Sequence, residues 1–251
     1  MVWILDLDGV VWLAEDVIPG VPEAVDRLRE AGNTILFLTN NSSRPVVELV
    51  KKFRGMGISV EADEIVTSAQ AAATMVEPGS TVLVCAGVGV REALEERGVH
   101  MVDEGDADAV MVGFHTEFDY WRLNAAYQAL RGGARLIGTN DDTTYPTPDG
   151  PMPGGGSLLA AVAAAGGVEP EVAGKPYQPM ADAVRARIGD AVDDGWLVGD
   201  RPDTDGLMAK RLGIPFALVF SGVTSEDDLP VDPEPVTTAA DLATLVDQEL
   251  A

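Results

Sequence analysis

The sequence predicts a doubly wound parallel α/β core that is split by an inserted α/β domain. Three observations point there. Short apolar runs alternate with helical patterns along the chain, as a parallel sheet covered on both faces requires. The alternation starts afresh in the middle, near residue 78. Two glycine-containing breaks, Glu77-Pro78-Gly79 and Gly166-Gly167, mark where the chain would leave and re-enter the core. The expected division is a discontinuous core of residues 1–77 and 171–251, with an insert spanning 78–170.

The elements follow in order. Val2–Leu5 is an apolar run bounded by aspartates and reads as a buried strand; Val21–Ala31 carries helical spacing. Thr34–Leu38 is a strand and Pro45–Met56 a helix closed by Gly57. In the insert, Ser80–Cys85, Val99–Val102, Ala107–Val112 and Ala134–Ile137 read as strands. Val90–Glu96, Tyr120–Leu130 and Ser157–Ala165 read as helices. The core resumes with helix Pro179–Ile188, strand Gly195–Val198, helix Asp203–Leu212, strand Ile214–Val219 and helix Ala239–Leu250. The Asp/Pro-rich stretch Asp227–Pro235 is a surface loop.

The 251 residues, 46% of them hydrophobic, suit one large domain or two modest ones with real cores. The formal charge of −24 comes from 41 acidic against 17 basic residues, and lysine stands only at 51, 52, 175 and 210. The acids are dispersed through amphipathic segments such as Pro22–Glu30, which excludes a disordered acidic tail. Such a surface suits high salt, where screening removes self-repulsion, and it excludes nucleic acid and anionic membranes as partners. No signal peptide is expected, because Asp6 and Asp8 interrupt the first apolar run and no basic segment precedes it. No apolar stretch is long enough to span a bilayer. A cytoplasmic protein, of a high-salt cytoplasm, is expected. The single cysteine, Cys85, rules out an internal disulfide and a cysteine zinc site, and a buried small hydrophobe is its expected role.

Chemistry concentrates where strands end. In a doubly wound sheet, sites gather outside the carboxyl ends of the strands. Asp6 and Asp8 follow the first strand; Thr39, Asn40, Asn41 and Ser42 follow the second. Lys175 follows Val172-Ala173, and Asp200 and Asp205 follow Trp196–Val198. Any one cluster alone is as well read as a helix cap. Together they supply acid, hydroxyl and cation at equivalent positions of the fold. Aspartates without nearby histidine or cysteine make a hard, oxygen-liganded site that suits Mg²⁺. The pair Asp6 and Asp8, with no basic residue before Arg27, needs such a cation to tolerate burial. A carboxylate beside Mg²⁺ can act as a nucleophile toward phosphorus. Gly9 lets the chain bend after Asp8 and brings backbone amides toward a phosphate.

The strings DLDGVV, LTNNSSRP, GKPYQPM and VGDRPDTD resemble, in order, the four motifs of the haloacid dehalogenase superfamily of phosphohydrolases, with its Rossmann-like core. The resemblance is closer still to the NagD-like, p-nitrophenyl phosphatase branch, which carries a C2 cap between its second and third motifs. It runs from about residue 2 to 225. It implies that Asp6 is the nucleophile and becomes an aspartyl-phosphate, and that Asp8 is the general acid and base. It implies Mg²⁺ held by Asp6, the Asp8 carbonyl and Asp200, with Asp205 acting one shell further out on Lys175 or a metal-bound water. Gly9, Thr39, Asn40, Asn41 and Lys175 would bind the phosphoryl group.

In proteins similar to this one, the cap loop before a proline approaches the substrate. That loop is Asn140–Pro146, with Tyr145 the first candidate and Asn140 and Asp142 behind it; packing of Tyr145 within the cap is the competing reading. Gly154–Ser157 lacks a P-loop lysine and reads as a flexible helix start. His100 and His115 are expected to be structural. The partner expected is a small phosphorylated metabolite (a sugar phosphate, phosphoglycolate or a nucleotide), and the resemblance allows a homodimer through the cap. Two other classes fit parts of the pattern: a receiver-like phospho-acceptor signalling domain and a catalytically silent phosphate-binding protein. Asp8 and the cap speak against the first, and the full set of catalytic side chains against the second.

Overall fold

The computed structural model describes residues 1–145 and 150–250. The chain opens with β1 (Val2–Asp6), whose five residues are all buried. A small hairpin of β2 (Trp12–Leu13) and β3 (Asp16–Val17) precedes helix α1 (Val21–Glu30). Next come β4 (Thr34–Thr39), α2 (Val46–Gly55), β5 (Ile65–Thr67) and the short α3 (Ser68–Ala73). The middle carries β6 (Thr81–Cys85), α4 (Val88–Glu96), β7 (His100–Val102) and β8 (Ala109–Val112). It continues with α5 (Tyr120–Arg131), β9 (Arg135–Gly138) and the paired β10 (Thr144–Tyr145) and β11 (Met152–Pro153). Then follow α6 (Gly155–Gly166), β12 (Glu171–Val172), α7 (Gln178–Ile188) and β13 (Gly195–Gly199). The last elements are α8 (Leu207–Leu212), β14 (Phe216–Val219), β15 (Thr237–Ala239) and α9 (Leu242–Glu249).

These form two compact units. The first comprises Met1–Thr39, Val47–Val66 and the chain from Lys175 onward; the second comprises Asn40–Val46 and Thr67–Gly174. The first is built on a six-stranded sheet in the order β15-β14-β13-β1-β4-β5. β1 pairs in parallel with both β13 and β4, so the strand order reverses beside it. Burial on both faces explains why Trp3, Ile4 and Leu5 form an unbroken apolar run rather than an alternating one. Helix α1 turns Val21, Ala24, Val25 and Leu28 inward, at the spacing of one helical face, behind a proline in its first turn. The second unit holds a five-stranded parallel sheet, β12-β9-β8-β6-β7, packed by α5 and α6 through Leu83, Val110, Leu130, Leu159 and Val162.

The doubly wound α/β class is as expected, but several details differ. Val172 and its strand β12 pair with β9 of the second sheet, so the run before Lys175 does not belong to the core sheet. Gly166-Gly167 is not a crossing between units: Gly167 is the left-handed C-cap of α6. The last helix starts at Leu242, capped by the Asp241 side chain, and Thr237–Ala239 before it is an edge strand that composition did not suggest. The helix expected from Asp203 is two pieces, a wide π-type turn at Pro202–Gly206 and then α8. Gly154–Ser157 is the start of α6, as expected, and it is closely packed: a Cβ on Gly156 would lie 2.2 Å from the Asp141 carbonyl oxygen. Cys85 is buried, and burial pushes its thiol up to about 11.

Candidate active site

Asp6 ends β1 at the centre of the first sheet, and the segments around it come from the neighbouring strands. Asp200 follows β13, and Asp205 sits on the π-type turn, whose wide winding is marked by the Gly206 amide donating back to the Arg201 carbonyl. Lys175 reaches the same place and donates to Asp6 Oδ1 and Asp205 Oδ1, both at 2.7 Å. All four side chains are buried. One carboxylate oxygen from each of Asp6, Asp200 and Asp205 lies within 4.8 Å of the others.

Three carboxylates against one ammonium leave two negative charges in excess. Burial, only partly offset by Lys175 and reinforced by Asp205 and Asp200, holds the Asp6 carboxyl well above its ordinary range. Burial and then Asp205 push Asp200 up to about 7, against the Val223 amide, Lys175 and Arg201. Burial alone would push Lys175 down, but the charges of Asp205 and Asp6 outweigh it and hold the ammonium above its ordinary value. Lys175 therefore keeps its proton. The remaining excess charge must be met by a proton or by a cation.

The oxygens are not equally engaged. Asp205 accepts from Lys175 at Oδ1 and from the Arg201 amide at Oδ2 (3.1 Å), so the backbone fixes the carboxylate that braces the lysine. Asp200 Oδ2 accepts from the Val223 amide at 2.6 Å, whereas its Oδ1 is buried with no hydrogen-bond partner among the described residues. An orphaned buried carboxylate oxygen is costly unless something polar faces it. An all-oxygen donor set with excess negative charge and one such oxygen fits a hard divalent cation.

Two glycines make this geometry possible. Gly9 has a φ of 88°, which side-chain-bearing residues rarely adopt, and a Cβ there would lie 2.4 Å from Asp200 Oδ2. A Cβ on Gly222 would lie 1.9 Å from the same oxygen. The Ser221 hydroxyl donates to the Gly9 carbonyl at 2.7 Å, tying the loop after β14 to the turn after β1. Asp8 is half-buried, and its Oδ1 accepts from the Trp12 indole at 3.0 Å.

The predicted residues are therefore distributed as follows. Asp6, Lys175, Asp200 and Asp205 come together in the first unit, beside Gly9; Asp8 lies two residues beyond β1, and Thr39, buried, ends the neighbouring β4. Asn40 and Asn41 fall in the second unit. There the Asn140 amide donates to the Asn40 carbonyl at 2.7 Å, and Asn40 Nδ2 donates to Asp142 Oδ2 at 3.1 Å. Asn41 Oδ1 accepts from the Ser43 amide and hydroxyl. Tyr145 stacks on Phe114, with ring centroids 5.0 Å apart. Pro146, the end of the expected cap loop, lies outside the described residues. His100 is exposed, and His115 packs edge-on against Phe118. The motifs did not reveal Ser221, Gly222, Val223 or Trp12. A Ser-Gly-Val turn directly after an apolar strand was the available signal for the first three.

The family model described as haloacid dehalogenase-like hydrolase matches residues 3–100, and a second model of HAD-like hydrolases matches residues 172–245. An acid sugar phosphatase of Staphylococcus haemolyticus is 33% identical over 244 residues, covering 96% of this chain and 93% of that one. The chain belongs to the haloacid dehalogenase-like hydrolases. It is an enzyme of the phosphatase kind within them, close to the NagD-like, p-nitrophenyl phosphatase branch. The p-nitrophenyl phosphatase from Archaeoglobus fulgidus superimposes with a TM-score of 0.92 at 31% identity, over 98% of both chains. A glycerol phosphate phosphatase from Mycobacterium tuberculosis, solved in complex with magnesium, matches with a TM-score of 0.88 at 32% identity, covering 97% of this chain and 75% of that one. The same enzyme has been solved in complex with calcium.

Proposed function

We propose that this hydrolase is a Mg²⁺-dependent phosphomonoesterase of small phosphorylated metabolites, sugar phosphates first among them, that works through an aspartyl-phosphate on Asp6. The observation that carries the reading is the buried group of Asp6, Asp200, Asp205 and Lys175, with its excess charge and its orphaned Asp200 oxygen. Asp6 holds Lys175 through Oδ1 and attacks with Oδ2. A bond forms from Oδ2 to phosphorus as the bond from phosphorus to the leaving oxygen breaks, and Asp8 gives that oxygen its proton. Water then attacks the phosphorus, Asp8 takes the water's proton, and Asp6 is released with inorganic phosphate. Lys175, braced by Asp205, keeps Asp6 oriented and offsets charge on the phosphoryl oxygens, with Thr39 and the amides of Asn40 and Asn41 as further donors. Asp6, the Asp8 carbonyl and Asp200 would hold Mg²⁺, which when bound supplies charge neutralisation for the phosphoryl group.

Tyr145, with Asn140 and Asp142, is proposed to choose among substrates. The dispersed acidic surface, 41 acidic against 17 basic residues, supports a high-salt cytoplasm as the working environment. No helix among the described residues is long and apolar enough to cross a membrane. The decisive assay is hydrolysis of p-nitrophenyl phosphate with Mg²⁺ in molar KCl by wild type and Asp6→Asn. Loss of turnover in the variant is expected, and equal rates would remove Asp6 as the nucleophile.

A further inference from the structure

The turn after β1 is wound unusually tightly around one aromatic residue. The Gly9 amide donates to the Trp12 carbonyl at 2.8 Å, and the amides of Val11 and Trp12 both return to the Leu7 carbonyl, at 2.8 and 3.1 Å. The Trp12 side chain closes the same loop from the other side by donating Nε1–H to Asp8 Oδ1. Its ring is buried, packed edge-on against Phe53 at 5.0 Å, and Phe53 rests on Phe37 at 4.5 Å. Above the ring lies the Lys52 ammonium, 4.2 Å from the ring centroid, with its side chain largely buried. Lys52 also donates to the Ala14 carbonyl at 2.6 Å, at the tip of the β2–β3 hairpin, where Ala14 has a φ of 53°. A strained non-glycine turn, an aromatic pair and a buried cation thus hold one indole in one place.

We infer that Trp12 is a positioning residue that fixes the carboxyl of Asp8, with Lys52 as its lock. The inference rests on the phosphatase reading and on Asp8 as its acid and base. An indole N–H can donate but never accept, so Asp8 Oδ1 faces it as an acceptor in either protonation state. The proton that Asp8 gives to the leaving oxygen is thereby assigned to Oδ2. When it is given, the Oδ2–H bond breaks, a new O–H bond forms on the leaving group, and the carboxylate left behind keeps its Trp12 contact. A cation over the ring draws density from the indole and makes the N–H a stronger donor. Without that contact Oδ1 loses a donor that fixes it, and the acid is aimed less well at the leaving oxygen.

The consequence is read in the dependence on leaving group. p-Nitrophenolate leaves without help, whereas phenolate and p-methylphenolate need the proton. The test replaces Trp12 by 3-benzothienylalanine, which keeps the shape and the ring face but has no N–H; Trp12→Phe and Lys52→Met serve as genetically simple companions. kcat/KM is measured in Mg²⁺ for p-nitrophenyl, phenyl and p-methylphenyl phosphates, and thermal unfolding is recorded for each protein. For the isostere, a loss on the phenyl and p-methylphenyl esters about tenfold greater than on the p-nitrophenyl ester is expected, the scale of one hydrogen bond to a charged group. Lys52→Met should steepen the dependence in the same direction by less. A uniform loss across the series would make Trp12 merely structural, and an unchanged series would overturn the inference. A flat Lys52→Met series would remove Lys52 from the device. A wild type inert toward every ester would instead bring down the phosphatase reading, and this inference with it.

Discussion

Replacing Lys175 by methionine keeps an unbranched stem up to Cε and removes the ammonium that contacts both Asp6 and Asp205. At 2.7 Å and an effective dielectric constant of about 20, each contact represents about 6 kcal/mol of gross attraction. Most of that is offset by the cost of desolvating the ions, and breaking such a buried pair by removing one partner costs about 3–5 kcal/mol net. That is a large fraction of the stability of an ordinary domain. The measurement is urea unfolding in EDTA at neutral pH, followed by the fluorescence of Trp3 and Trp196, which stack 6.0 Å apart in the same unit. Because the pair is buried, molar KCl should leave most of the loss in place, unlike a surface pair. The double variant Lys175→Met/Asp205→Asn should recover part of it by deleting the charge left unpaired. A loss below about 1 kcal/mol, or a double variant no more stable than the single, would refute the account of a strained anionic cluster held by one lysine.

Asp200 titrates near 7 in the folded protein, above its unfolded value of 3.8, so its contribution to stability is fully present below about pH 3.8 and lost as pH rises toward 7. In EDTA, Asp200→Asn should gain on wild type by about 4 kcal/mol across that window and then level off; a difference independent of pH would contradict this. Gly222→Ala should displace the Asp200 carboxylate and weaken Mg²⁺ binding, read by calorimetry, more than it lowers the melting temperature. Tyr145→Ala should reorder preferences in a phosphate-ester screen, and a uniform drop would count against a selecting role. Raising KCl from millimolar to molar should raise the melting temperature of the wild type as self-repulsion is screened; a falling melting temperature would count against the high-salt reading.

Part of the candidate site was legible in the sequence because Asp6, Thr39 and Asp200 each stand just after an apolar run. Asp6 after Leu5, Thr39 after Leu38 and Asp200 after Gly199 are local signals. What stayed hidden was non-local. Glu171–Val172 is two residues long, and nothing in two residues says which of two sheets they join. Thr237–Ala239 is a three-residue edge behind a proline-rich loop, too short for a period to show. The π-type turn at Pro202–Gly206 is built of Pro, Asp, Thr and Gly, all weak helix formers, so propensity gives no sign of its helical winding or of its width. Ser221, Gly222 and Val223 matter because Gly9 and Asp200 lie beside them, contacts that span 212 residues to Gly9 and 23 to Asp200. Trp12 looked like one more apolar residue until its N–H was seen on Asp8.

The wedging of Asp200 against Gly9 and Gly222 also bears on how the protein is made. Asp6, the proposed nucleophile, leaves the ribosome long before its counter-charge at 175, and the loop that closes around Asp200 arrives later still. β1 can pair with β4 early, but its other neighbour, β13 (Gly195–Gly199), is translated far later. A nascent chain therefore carries Asp6 without Lys175 and Asp200 beside it, and the proposed catalytic centre cannot assemble until both have been made. Activity would thus report on the finished fold: a product truncated before residue 222 would keep Asp6 but lack the loop that sets the Asp200 carboxylate.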